Sequence, residues 1–208
     1  MTLKFLASLF ALSLTMGAAS AADFSFTGEF AHDNDVQQFN FNVGANSSVS
    51  LRSWSYAGGV NAAGNAIARG GFDPILALFD ETGLKIGEQD DAGCSYVAHD
   101  AVTNSCWDTF YSMNLAAGNY TVTIQQYDNF TAGSHLSDGF AYDGAAHQNF
   151  RNGFMDVNNN QRDAHWAFDI LNVNDARLPP SDVPEPASLA LLGLGLAGLA
   201  AARRRKAK

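Results

Sequence analysis

Four aspartates, Asp73, Asp80, Asp90 and Asp91, carry the most chemical pattern in the chain. Calcium takes about six to eight hard oxygen ligands, and these carboxylates converge at one end of a fold if the strands that carry them pair. The competing reading is that acidic loop residues form turns and caps, which is their commoner role. A second acidic run, Asp156-Val157-Asn158-Asn159-Asn160, begins like an EF-hand loop but has Gln161 at the glycine position and Ala167 at the bidentate glutamate position, so it reads as a polar turn. Trp107, between Cys106 and Asp108, offers an aromatic face on which a sugar ring can stack, whereas Trp54 and Trp166 sit in strand-like alternation and read as core. Cys94 and Cys106 are the only cysteines and are expected to form one disulfide; with His99 alone nearby they fall short of a zinc ligand set.

Signs of catalysis are absent at the level of motifs. There is no Gly-x-Ser-x-Gly elbow, no His-Glu-x-x-His pair and no phosphate-cradling glycine loop. His32, His99, His135, His147 and His165 fall in separate segments. A secreted hydrolase with a triad assembled in space stays open as an alternative.

The C-terminus carries a different kind of chemistry. Val183-Pro184-Glu185-Pro186 is followed by an apolar run from Ala187 to Ala202 and then by Arg203-Arg204-Arg205-Lys206. The run has 16 residues, which as a helix span about 24 Å, short of the roughly 30 Å hydrocarbon core of a bilayer. The cations can snorkel and hold that end on the cytoplasmic side, leaving the rest of the protein outside. Pro184 and Pro186 disfavour helix, so the motif is an extended peptide beside the membrane. Such a peptide suits a processing enzyme; a plain membrane anchor explains the tail equally well.

At the other end, Lys4, the apolar stretch from Phe5 to Met16 and the small residues Ala19-Ser20-Ala21 read as a secretory signal peptide. Between Asp23 and Val183, 20 acidic residues face 6 basic ones, a formal charge of −14 against −9 for the whole chain of 208. That balance argues against nucleic acid and anionic membrane surfaces as partners. It allows divalent cations, basic partners and neutral glycans, or simply keeps an exported protein soluble.

The elements that must position these residues are strands. Phe24, Phe26, Gly28 and Phe30 alternate with polar or small residues; Phe39, Phe41 and Val43, Val49 and Leu51, and Tyr120, Val122 and Ile124 do the same. Ile75 to Phe79 is fully apolar and runs into the turn signal Asp80-Glu81-Thr82-Gly83, followed by Lys85 to Gly87; Trp166, Phe168 and Ile170 form the last strand expected. Three segments interrupt the strands: 57–71, 92–107 and 129–162. The aromatic residues of the third predict a flap packed on the sheets, with a binding surface as the alternative.

These residues carry two resemblances. Val183 to Pro186, the apolar run and the Arg203–Arg205 cluster together resemble the PEP-CTERM sorting signal of bacterial surface proteins. That resemblance implies export, transient tethering in the inner membrane and removal of the tail by an exosortase-type enzyme, in bacteria that make extracellular polysaccharide. Asp33-Asn34-Asp35-Val36, the run from Asp73 to Asp80, Gly83, Gln89-Asp90-Asp91 and Leu115 to Val122 resemble pre-peptidase C-terminal-like domains, with Gln89 where asparagine is commoner. That resemblance implies a jelly-roll-like sandwich, in some members binding calcium or extracellular polymers.

The expected chain is therefore an all-β protein: signal peptide 1–22, antiparallel jelly-roll-like β-sandwich 23–178, linker 179–186, hydrophobic helix 187–202 and basic tail 203–208. Its expected role is that of an exported, non-catalytic surface or matrix component. The Sec export machinery and an exosortase-type enzyme are its expected processing partners and extracellular polysaccharide its expected ligand. A calcium-dependent carbohydrate-binding module is the alternative.

Overall fold

A computed structural model describes residues 20–179. The Pro-Glu-Pro motif, the apolar run, the basic tail and all but the last residues of the expected signal peptide lie outside the described residues. Among the described residues no helix is long and apolar enough to cross a membrane.

The described chain forms thirteen strands: β1 (Ala22–Glu29), β2 (Val36–Val43), β3 (Ser47–Ser53), β4 (Gly59–Val60), β5 (Ala66–Ile67), β6 (Pro74–Phe79), β7 (Lys85–Gln89), β8 (Phe110–Leu115), β9 (Gly118–Gln126), β10 (Phe154–Met155), β11 (Gln161–Arg162), β12 (His165–Val173) and β13 (Asp175–Arg177). One sheet has the order β1-β12-β3-β8 and the other β13-β2-β9-β6-β7, and every pairing is antiparallel. Their inner faces share one core, to which β2 contributes Phe39, Phe41 and Val43, β9 Val122 and Ile124, β3 Val49 and Leu51, and β12 Trp166, Phe168 and Ile170. Period two places each set on one face, and burying it against the opposite sheet is what specifies the register. Gly28 faces Trp166 so closely that a Cβ there would lie 2.3 Å from the indole, so the glycine in the β1 alternation makes room for the ring.

Three expectations need correction. Trp54 is not core: it follows β3, is half-buried, donates its indole N–H to Asp169 and lies under the Arg52 guanidinium. Trp166 does not sit on the last strand, because β13 follows and pairs with β2. Strand β8, whose Tyr111, Met113 and Leu115 alternate toward the core, was not expected at all.

The three interrupting segments cover the sandwich. Segment 57–71 holds the β4–β5 hairpin and lies against β1 and β12, where Ala62 N–H donates to Asp169 and Ala63 N–H to Ser25. Segment 129–162 runs from the β7 edge, where Thr131 bonds Glu88, to the β1–β2 turn, where Phe150 N–H donates to Ala31. It carries short 3-10 helices at Leu136–Asp138 and Phe150–Asn152 and the β10–β11 hairpin. Phe150 is buried and stacks on Phe154 at 3.9 Å, which makes this segment a packed cover.

Candidate functional site

Asp73 immediately precedes β6, and Asp90 and Asp91 follow β7. Because β6 and β7 are antiparallel neighbours, with Leu76 opposite Gln89, these three residues meet at one end of the sheet. One carboxylate oxygen from each lies within 4.8 Å of the other two. Asp80 does not join them: it ends β6 at the opposite side, a separation on the order of 20 Å for a strand of that length. There it holds a turn, accepting from Thr82 N–H at 2.9 Å, Thr82 Oγ1 at 2.7 Å and Leu84 N–H at 3.1 Å. The expected four-aspartate cluster is thus a three-aspartate cluster, and Asp80 plays the ordinary part of a loop acid.

The cluster is electrostatically loaded. Burial, followed by repulsion from Asp91, Asp90 and Asp108, pushes the Asp73 carboxyl up to about 9. Burial, then Asp90 and Asp108, pushes Asp91 up to about 6, and burial with Asp128 and Glu88 raises Asp90 as well. Asp108 is buried too, but its oxygens accept from Ser53 Oγ, Tyr56 N–H and Ala57 N–H. By contrast, Asp73 Oδ1, Asp90 Oδ1 and Gln89 Oε1 are buried with no hydrogen-bond partner. Orphaned hard oxygens beside mutually repelling carboxylates are what a divalent cation satisfies, and oxygen-only donors suit calcium.

Asp73 also lines a cavity of about 130 Å³ together with Trp107, Tyr127, Tyr142, Asp33 and Asp128. Trp107 is set by the Cys94–Cys106 disulfide beside it and by Tyr56, 4.9 Å from its ring centroid. Tyr142 donates to Asp128 at 3.3 Å and packs edge-on against His147 at 4.6 Å, while Asp33 accepts from His147 N–H at 2.9 Å. His99 lies close to the disulfide, but both sulfurs are bonded to each other, so no zinc set forms there.

An ion network unforeseen from the sequence ties the three covering segments together behind this cavity. Arg69 donates from two nitrogens to Asp100, at 2.5 and 3.0 Å. The fully buried Arg162 donates from Nε to Asp156 at 3.0 Å, with Nη1 3.7 Å from Asp100. Burial opposes ionisation of Asp100, yet hydrogen bonds from Arg69, Thr103 and Val102 outweigh it and hold its carboxyl below the usual range. Asp156 accepts from Asn158 N–H and Asn160 N–H, so the run that imitates an EF-hand is a turn locked onto Arg162.

Among the described residues, neither His135 nor His165 completes a serine triad. Ser134 Oγ lies 3.3 Å from His135 Nδ1, but Asp138 approaches the same nitrogen, whereas a triad needs serine and aspartate on opposite ring nitrogens. His165 bonds Asp163 through Nδ1 and the Ala68 carbonyl through Nε2.

Comparison with known proteins adds an address. A model of the PEP-CTERM protein-sorting motif matches residues 182–206, which include Val183, Pro184, Glu185, Pro186, Arg203, Arg204 and Arg205. No curated protein matches the chain. Among solved structures it is similar to the pre-peptidase C-terminal domain of collagenase from Bacillus anthracis, at 11% identity and a TM-score of 0.33, covering 75% of this chain and 90% of that one. The sandwich assignment rests on the strand pairings themselves, and the matched tail supports export and handling by an exosortase-type enzyme.

Proposed function

We propose that this chain is an exported, exosortase-sorted component of the cell surface or extracellular matrix, without catalytic activity and associated with extracellular polysaccharide. The observation that carries this reading is the sorting motif at residues 182–206 behind an acidic sandwich. The test is the intact mass and C-terminal peptide of protein recovered from its native surface or medium. A terminus near Pro184 to Pro186 is expected; a terminus at Lys208 would make the tail a retained anchor and overturn the sorted-component reading.

The orphaned oxygens of Asp73 and Asp90 favour a second reading, a calcium-dependent carbohydrate-binding module. Its test is affinity for purified matrix polysaccharide with and without chelator. Equal binding in both would remove calcium from the function.

A further inference from the structure

The cavity beside Trp107 has a composition that selects its occupant. Four aspartates line it, Asp33, Asp73, Asp128 and Asp156, and no lysine or arginine does. Arg162 is already bonded to Asp156; of the other three carboxylates, Asp33 accepts from His147 N–H and Asp128 from the Tyr142 hydroxyl, and His147 is the one basic side chain among the lining residues. One oxygen of Asp73 is buried with no hydrogen-bond partner. The walls are aromatic: Trp107, Tyr127 and Tyr142 are each half-buried, and Met155 and Val157 stand exposed at the same cavity. A uronic-acid polymer is repelled by such a lining, and a purely apolar group leaves the buried Asp73 oxygen unpaired. The volume of about 130 Å³ is well below the roughly 300 to 1,000 Å³ of pockets that enclose a whole ligand. The occupant is therefore one protruding unit of a longer molecule, cationic at one edge and flat on its faces.

The geometry points to an amino-sugar unit of a polysaccharide, its protonated 2-amino group against Asp33 and Asp128, a ring hydroxyl against the unpartnered oxygen of Asp73, and its ring faces against Trp107 and Tyr142. This assignment rests on the proposed role at the matrix and gives it a ligand class. The carboxylates supply charge-assisted hydrogen bonds to the ammonium, and the rings supply stacking and a cation–π contribution. Gln126 and Gln148, also at the cavity, are donors and acceptors for ring hydroxyls.

The test is calorimetric titration of the full chain, in detergent and with chelator present, with β-1,4-linked glucosamine oligosaccharides and their N-acetylated counterparts. At about pH 6 the amine is protonated and an ordinary aspartate is ionised, whereas Asp73, pushed up to about 9 by burial, stays protonated. Binding of the free-amine oligomer at least about tenfold tighter than the acetylated one is expected, since acetylation removes the charge-assisted bonds. Asp128→Asn is expected to weaken that binding severalfold; Asp128 is exposed and asparagine tolerates its left-handed backbone, so the variant folds. Trp107→Ala is expected to weaken both oligomers alike. Equal affinity for the two sugars, no binding of either, or binding that requires added calcium would overturn the assignment, as would a lysine oligopeptide binding as well as the free-amine sugar. Co-sedimentation with native matrix polysaccharide, run in parallel, separates the two levels. Retention on the matrix without glucosamine binding sinks the amino-sugar assignment alone, whereas glucosamine binding without retention upholds that assignment and sinks the matrix role.

Discussion

The guanidinium of Arg162 lies 3.5 Å over the ring of Tyr56. Its Nη1 also donates to the Tyr56 carbonyl at 3.4 Å, its Nε to Asp156, and its charge faces Asp100. Tyr56 immediately precedes segment 57–71, Asp100 belongs to the disulfide loop and Asp156 to the long cover, so one buried cation joins all three. Replacing it leaves Asp156 without its cation and Asp100 with Arg69 alone, and removing one partner of a buried pair costs about 3–5 kcal/mol. Arg162→Met is expected to lose that much in urea unfolding while Arg177→Met, an exposed pair on β13, changes little. Similar stability of the two variants would mean that the network holds nothing together.

The Cys94–Cys106 bond closes a loop of sequence separation 12, and Asp100 lies within it. Chain entropy assigns such a loop about 3 kcal/mol. Reduction is expected to lower stability by about that amount and to raise hydrogen exchange in 94–106 and also in 154–162, because loosening Asp100 removes a partner of Arg162. Faster exchange confined to the disulfide loop would uncouple the two.

Gly71 sits where segment 57–71 returns to the sandwich. A Cβ there would lie 2.3 Å from the His165 carbonyl oxygen and 2.7 Å from that of Ser55, both backbone atoms that cannot swing aside. Gly71→Ala is expected to cost about 1–3 kcal/mol, as overpacking does, with a matching fall in melting temperature. An unchanged melting temperature would indicate that the segment is not seated on β12 as described.

Local pattern carried most of the sandwich. Phe39, Phe41 and Val43 announce β2 because alternation is a property of neighbours, and the apolar run of β6 was legible because both of its faces are covered. Arg162 was illegible for the opposite reason. It lies in a polar stretch, and its burial is created by Tyr56, 106 residues away along the chain. The aspartates fell between these cases. Asp73, Asp90 and Asp91 follow from hairpin pairing, whereas Asp80 lies beyond the other end of β6 and cannot meet them. Strand β8 was less legible because its alternation of Tyr111, Met113 and Leu115 is short and begins directly after the irregular disulfide loop.

The final prediction concerns calcium and pH together. Asp73, Asp90 and Asp91 have raised pKa values in the folded chain, so between the ordinary carboxylate value and those raised values the folded state binds more protons than the unfolded one. Their contribution to stability is fully present below about pH 4 and is lost as pH rises toward the folded values, about 6 for Asp91 and about 9 for Asp73. In chelator the melting temperature is therefore expected to decline across that window. Calcium, which binds only the ionised carboxylates, is expected to raise it more at pH 8 than at pH 4 and so to flatten the decline. Asp90→Asn should remove most of the calcium effect. Asp80→Asn should leave it intact and merely weaken the turn at Thr82 and Leu84, since that carboxylate is at the other end of β6. The same pH slope with and without calcium would eliminate the metal from this end of the sandwich. Loss of the calcium effect in the Asp80 variant would show that the ion binds at the opposite end.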